Sequence, residues 1–284
     1  IYAEVLREPP TPTNALTLFP QDRSVPAGAV THRVGRIYSS GRAVVYRGVG
    51  QNIPVVGINQ KSMDFPVRHY VTSFLVTLWE QASAGFANFA LMAELLRTAR
   101  DVIGEFLNLM TWFGSEEDGL YGVLNYPWLP KATALTAFNP GIGVLTMLAE
   151  LNRQASYTKV THKSQVRVDR VVMSVRMRAL LYQTPMSVDN TRNLAEVWLA
   201  MQPDLSTIEE AWELQGTGPG GTDIVLYYRA DRRGIQNVLV TGFTTLPAER
   251  KGFAQRTLAY MSHGGVVIRD PLATVAFYCN ASLV

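Results

Sequence analysis

The sequence predicts an α+β fold, and three observations carry that reading. A helical pattern runs from about Thr77 to Phe113, short β-rich runs crowd the stretch from Val34 to Val76, and helices alternate with strands from there to the C-terminus. With 284 residues, 47% of them apolar, the chain can bury a substantial core as one elaborate or two modest domains.

Residues 1–30 contain Pro9, Pro10, Pro12, Pro20 and Pro26 and almost no periodicity, which reads as an extended arm without a core of its own. The sequence opens at Ile1 with no signal-peptide pattern, so a trimmed start or a leader removed by a protease is expected. RAVVYRG, IPVVGINQ and FPVRHYVTSFLV, separated by Gly41, Gly48, Gly50 and Pro54, read as strands of a long hairpin. Its polarity leaves little apolar surface to fold back on the body, so it is expected to project.

The helical pattern places Phe86, Phe89, Ala93, Leu96, Ala99, Ile103, Phe106, Met110 and Phe113 on one stripe, with Glu94, Arg97, Asp101, Glu105 and Asn108 along another face. Continuous from 77 to 113, it would reach roughly 55 Å at about 1.5 Å per residue. Gly85 and Gly104 are the expected points of a bend or close approach, and GSEEDG is a strong stop. Further on, a helix is expected over about Ile142–Gln154, and RVDRVVMSVRMRALLY reads as a strand joined to a short helix. NTRNLAEVWLAMQP reads as a helix capped by Asn190 or Thr191, and DLSTIEEAWELQ as another with a capping box from Ser206 to Glu209. GTGPGGTD is expected to be a loop before the strand DIVLYYRA, and GGVVIRDPLATVAFYC to form two strands broken at Asp270 and Pro271.

Composition excludes several functions. No run approaches 18 apolar residues, which argues against a membrane-spanning helix. A net charge of +3 is too small to imply nucleic-acid binding by itself, although it is unevenly placed. Residues 1–76 hold eight Lys or Arg against four acids, so a basic N-terminal region lying on a more acidic surface of a neighbouring copy is one reading, and a solvated surface the other. Cys279, the single cysteine, sits in the apolar run ATVAFYC and reads as a buried, inert thiol. His32, His69, His162 and His263 are scattered without metal-ligand spacing, so no metal or cofactor is expected. GTGPGG lacks the ending of a phosphate loop, no GxSxG is present, and Glu116, Glu117 and Asp118 read as a solvated turn. An enzyme finds almost no support.

FGSEEDGLYGVLNYPWLP resembles the join in major capsid proteins of tailed bacteriophages (Caudoviricetes) where a spine helix ends and a G-x-x-G-L-L-N-x-P segment begins. Here that segment reads Gly119, Leu120, Tyr121, Gly122, Val123, Leu124, Asn125, Tyr126 and Pro127, with valine in place of the first leucine. LFPQDRSVPAGA in the arm, SSGRAVVYRGVGQNIPVVG at the loop, and SHGGVVIRDPLATVAFY, similar to the family's closing R-x-G-G-x-x-x-x-x-P strands, follow in the family's order. The last departs from the pattern at His263, where a residue closer to arginine is expected before the glycine pair.

The resemblance implies an N-terminal arm (1–33), an extended β-hairpin loop (34–76), a peripheral domain with the spine helix (77–144), an axial domain (145–262) and return strands of the peripheral domain (263–284). It also implies a structural protein that self-assembles as hexamers and pentamers into an icosahedral shell around double-stranded DNA, built in the host cytoplasm into a virion capsid. Scaffold, portal and decoration proteins are the further partners it implies, with no membrane. Arg42, Arg47 and Lys61 in the loop are the expected inter-subunit contacts, with Glu94, Asp101 and Glu105 as acidic partners. Some members join a loop lysine to an asparagine covalently, and Lys61 is the single lysine of this loop, but no matching asparagine or acidic catalyst is identified. Two alternatives remain: an encapsulin-like nanocompartment shell and a soluble α+β enzyme.

Overall fold

The computed structural model describes residues 11–42, 55–86, 90–162, 166–187 and 192–281. In chain order the elements are α1 (Ala15–Leu18), β1 (Gln21–Asp22), β2 (Thr31–Ser40), β3 (Gly57–Pro66), β4 (Arg68–Thr77), α2 (Leu78–Phe86), α3 (Leu91–Phe113), β5 (Lys131–Thr133), α4 (Val144–Thr161), β6 (Arg170–Met173), α5 (Val175–Gln183), α6 (Leu194–Met201), β7 (Thr207–Glu210), β8 (Asp223–Tyr228), β9 (Ile235–Thr245), β10 (Glu249–Lys251), β11 (Ala254–Ile268) and β12 (Val275–Cys279).

They form two five-stranded sheets and a separate ribbon. The first sheet runs β1-β9-β11-β10, with β4 also paired to β11; the second runs β5-β12-β8-β6-β7. β2 and β3 pair only with each other, antiparallel from Thr31↔Pro66 to Ser40↔Gly57. The stretches 34–76 and 145–262 therefore each divide between layers, because β4 joins the first sheet and β9 and β11 lie beside it.

Strand alternation explains how the two sheets share one interior. β8 is buried along its whole length. Val225 and Tyr227 face a core built with α4, α5 and α6, whereas Ile224, Leu226 and Tyr228 face a second core shared with the first sheet and the arm. β6 and β12 divide the same way, with Val171, Met173, Val275, Phe277 and Cys279 on one side and Val172 and Ala276 on the other. A period of two with apolar residues on both faces is what a central strand requires.

α3 lies on the first sheet, where Ala99, Ile103 and Leu107 meet Tyr70, Leu239, Ala259 and Met261. It differs from the expected rod in two ways. Thr77 belongs to β4, and α2 ends at Phe86, next to Gly85, before α3 starts at Leu91, so the spine is 23 residues rather than 37. The helix runs on through Gly104. The buried stripe is also rotated: Leu107, Asn108, Thr111 and Trp112 are inside, while Phe86 is 97% exposed and Phe106 45%.

Two smaller expectations are corrected. α6 is capped by Asn193, whose Oδ1 accepts the Glu196 amide at 2.8 Å, rather than by Asn190 or Thr191, which lie outside the described residues. DLSTIEEAWELQ does not form a helix: β7 pairs parallel to β6 from Arg170↔Thr207 to Met173↔Glu210, and Trp212–Leu214 make a single 3₁₀ turn. β-branched Thr207 and Ile208 suit that edge position, and Ser206 donates to the Asp169 carbonyl at 2.9 Å instead of capping a helix. No described helix is long and apolar enough to cross a membrane.

Candidate assembly surfaces

The segment after α3 folds back onto the helix that it ends. A helix leaves its last carbonyls without partners. Here Val123 N–H donates to Thr111 O at 2.8 Å and Leu124 N–H to Trp112 O at 2.9 Å. The return needs two glycines. Gly114 has φ +68°, and a Cβ on Gly122 would lie 2.4 Å from the Gly114 nitrogen. Asn125 closes the turn by accepting the Gly122 amide at 2.6 Å. Within the turn Glu116 and Glu117 are exposed, the Asp118 carboxylate accepts from Ser115 Oγ at 2.9 Å, and the Asp118 carbonyl accepts two hydrogen bonds from Arg68.

That return segment packs on the closing glycine pair. Val266 N–H donates to Tyr121 O at 2.8 Å, and Gly265, at φ +79°, would place a Cβ 3.1 Å from the same oxygen. On the other side, a Cβ on Gly264 would meet the His32 ring at 3.1 Å. His32 stacks on Phe65, its cross-strand partner at the root of the ribbon, with ring centroids 5.1 Å apart. Phe65 in turn faces Tyr121 and Tyr126. The motifs at 119–127 and 263–265, remote in sequence, thus form one seat for the ribbon.

His263 is buried beside this seat and ties four elements together. Its Nδ1 accepts from Tyr70 Oη of β4 at 3.3 Å, while Nε2 donates to Asn237 Oδ1 of β9 at 2.5 Å. Asn237 Nδ2 reaches Thr111 Oγ1 of α3 at 3.2 Å. Burial brings the His263 pKa down to about 3, so the ring is neutral and the relay is a polar pin between spine helix and sheet. An internal role for a histidine beside a glycine pair was not legible from its sequence position. Cys279 is equally internal, its thiol pushed up to about 12 by burial.

Beyond its root the ribbon is solvent-facing. Ile37 and Ile58 are exposed, as are Val55 and Val56 just before β3. Directly opposite Lys61 in the backbone register stands Arg36. Arg33 and Asp64 pair at 2.6 Å nearer the root, which holds the Asp64 carboxyl below its ordinary value through the hydrogen bond and the charge of Arg33.

The expected contact residues lie on two separated elements. Arg42 is exposed just past β2 and Lys61 is exposed on β3; neither forms an ion pair with a described residue, and Arg47 lies outside the described residues. Glu94, Asp101 and Glu105 follow one another along α3, the first two half-buried and Glu105 exposed. A second apolar surface, missed in the sequence, lies at the far end of the first sheet. Val71, Leu75, Trp79, Leu246 and Phe253 are exposed there, and the Leu78 amide bonds the Phe253 carbonyl at 3.0 Å.

The profile of the Major capsid protein family matches residues 41–277. The chain belongs to that family. Its fold is that of phage capsids. The capsid of Myoviridae phage XM1 superposes with a TM-score of 0.84 at 14% identity, over 98% of this chain and 96% of that one. A chain of Mycobacterium phage Bobi gives 0.68 at 13% identity, over 99% and 95%. A virus-like particle from Pyrococcus furiosus gives 0.55 at 15% identity, over 92% and 91%. No curated protein sequence matches. This capsid protein is a structural component of a virion shell, and an encapsulin-like compartment is not favoured.

Proposed function

We propose that copies of this chain assemble as hexamers and pentamers into an icosahedral shell around double-stranded DNA, in the host cytoplasm, and that its role is mechanical rather than catalytic. The observation that carries this reading is the ribbon. Beyond its buried root the ten-pair ribbon carries the exposed side chains of Ile37 and Ile58, and a two-stranded ribbon alone is marginal in water. A neighbouring copy that covers it supplies the missing partner, and many such contacts sum to a stable particle. Scaffold, portal and decoration proteins are further partners on this reading, and packaged DNA is contacted through its phosphates without sequence preference.

Strand pairing supports placing the projecting loop at 31–66, with β4 and β9–β11 beside the spine helix and an axial region over α4–β8. Arg42, Arg47 and Lys61 of one copy then meet the acidic row of Glu94, Asp101 and Glu105 on the next, with Glu105 the most accessible of the three. Opposite charges there set register more than strength.

Negative-stain electron microscopy with light scattering on the purified chain tests the proposal. Closed shells tens of nanometres across, or rings of five and six subunits, are expected. A monomer or dimer at high concentration, also with scaffold supplied, overturns it.

A further inference from the structure

The arm enters the body over a buried carboxyl group. Glu213 is 1% exposed. Its Oε1 accepts from Asn108 Nδ2, and its Oε2 has no hydrogen-bond partner among the described residues, although the Asn14 amide lies beside the group. Asn108, also 1% exposed, turns its Oδ1 to the Ala15 amide of α1 at 2.9 Å. Asn14 donates to the Glu210 carbonyl at 3.0 Å and receives Trp112 Nε1 at 3.4 Å. The start of α1 and Glu213 therefore belong to one buried polar relay. Behind it the arm is anchored independently: Phe19 packs on Trp112 and Tyr228 with centroids 5.1 and 5.3 Å away, and Tyr228 Oη donates to Leu18 O at 2.8 Å.

Among the described residues no cation pairs with Glu213. Among the charged groups of the elements around it, Arg178 of α5 pairs with Glu210 of β7 at 2.7 Å, Arg176 of α5 with Asp223 of β8 at 2.6 Å, and Glu105 of α3 is exposed. Glu209 of β7 lies in the same strand as Glu210, and the arm from Thr11 to Pro20 carries no charge. An ionised carboxylate here has only neutral amide donors, those of Asn108, Asn14 and its own backbone, and low-dielectric surroundings, which disfavour charge. The part of its cover that can move without breaking charged contacts is the uncharged arm.

We propose that Glu213 is a proton-operated latch on the N-terminal arm: protonated, it holds Asn14–Thr17 in place through Asn108, and ionised, it loosens that turn about the fixed anchor of Leu18 and Phe19. The inference rests on the arm's geometry and goes beyond the shell reading. Burial raises the Glu213 pKa above its ordinary value of 4.5, with the amides of Asn108 and Asn14 pulling the other way. The docked arm thus binds the proton more tightly than the loosened arm. Docking is at full strength below about pH 4.5, weakens as pH rises, and levels off above the raised value.

Hydrogen exchange of the full chain from pH 4 to 8, corrected for intrinsic rates, tests this on peptides covering residues 12–20. Protection is expected to fall by up to about tenfold per pH unit across the titration, and E213Q to remain protected without pH dependence. An infrared band of a protonated carboxyl is expected to disappear over the same interval in the wild type. This second reading needs no variant, so it decides the matter even if E213Q fails to fold. Flat protection in the wild type, the same slope in E213Q, or a carboxyl band that titrates apart from arm exposure overturns the proposal.

Discussion

His263 Nε2 donates to Asn237 Oδ1 across β11 and β9 at 2.5 Å, and both side chains are fully buried. The other nitrogen, Nδ1, accepts from the Tyr70 hydroxyl, and that second bond requires the neutral ring. In the unfolded chain the ring titrates near 6.5, and in the fold near 3. Between these values the unfolded state binds more protons, so stability falls as pH drops from about 6.5 towards 3.

The expected size is about 3 kcal/mol lost between pH 7 and pH 4 from this residue, at about 1.4 kcal/mol per unit. Denaturant melts of unassembled subunits at those two pH values check it. His263→Gln is expected to lower stability at pH 7 and flatten the acid side of the curve; an unchanged slope contradicts the assignment.

Substitution of Trp112 separates folding from assembly when set against Phe86. Trp112 is wholly buried between arm and sheets, so Trp112→Ala is expected to cost about 3–5 kcal/mol of subunit stability. Phe86 is 97% exposed, and Phe86→Ala is expected to change subunit stability by no more than about 0.5 kcal/mol while reducing the yield of shells. Thermal melts and particle counts read the two effects apart.

Two glycines of the spine region are expected to respond in opposite directions. Gly104 has nothing within 4 Å of a built Cβ and sits mid-helix, so Gly104→Ala should stabilise by up to about 1 kcal/mol. Gly122 would drive its Cβ into the Gly114 backbone at 2.4 Å, and Gly122→Ala should abolish soluble folded protein. Equal melting points for the two variants would contradict this account of the helix exit.

Charge reversal tests the proposed ribbon contact. Lys61→Glu is expected to weaken association without affecting the subunit, because Lys61 is exposed and has no acidic partner among the described residues. Glu105→Lys should restore part of the loss if the two meet between copies, and the wild-type association should weaken with salt. Sedimentation at two ionic strengths measures all three.

The start of the return segment was readable because glycine, asparagine and a helix end are local features: Gly114, Gly122 and Asn125 do in space what their spacing announces. The same holds for α4, the strand joined to α5, and β8, whose hydrophobic periods are intact in the sequence. The order of the motifs along the chain was enough to indicate the family. The site was less legible. Arg42 and Lys61 could be placed on the ribbon, but the apolar patch at the far end of the first sheet draws on β4, α2 and the turns on either side of β10.

What only the tertiary structure decided depends on partners remote in the chain. TIEE carries the letters of a helix start, yet parallel pairing with β6 makes it an edge strand, since ladder bonds and burial outweigh a weak propensity. Asn108 repeats with the charged face of α3, yet it is buried because the arm supplies it with a backbone donor and Glu213 with an acceptor. The rotation of the spine helix follows from the same cause. Periodicity in the sequence establishes that a helix has a face, but which residues face inward is set by the strands and the arm that come to lie against it.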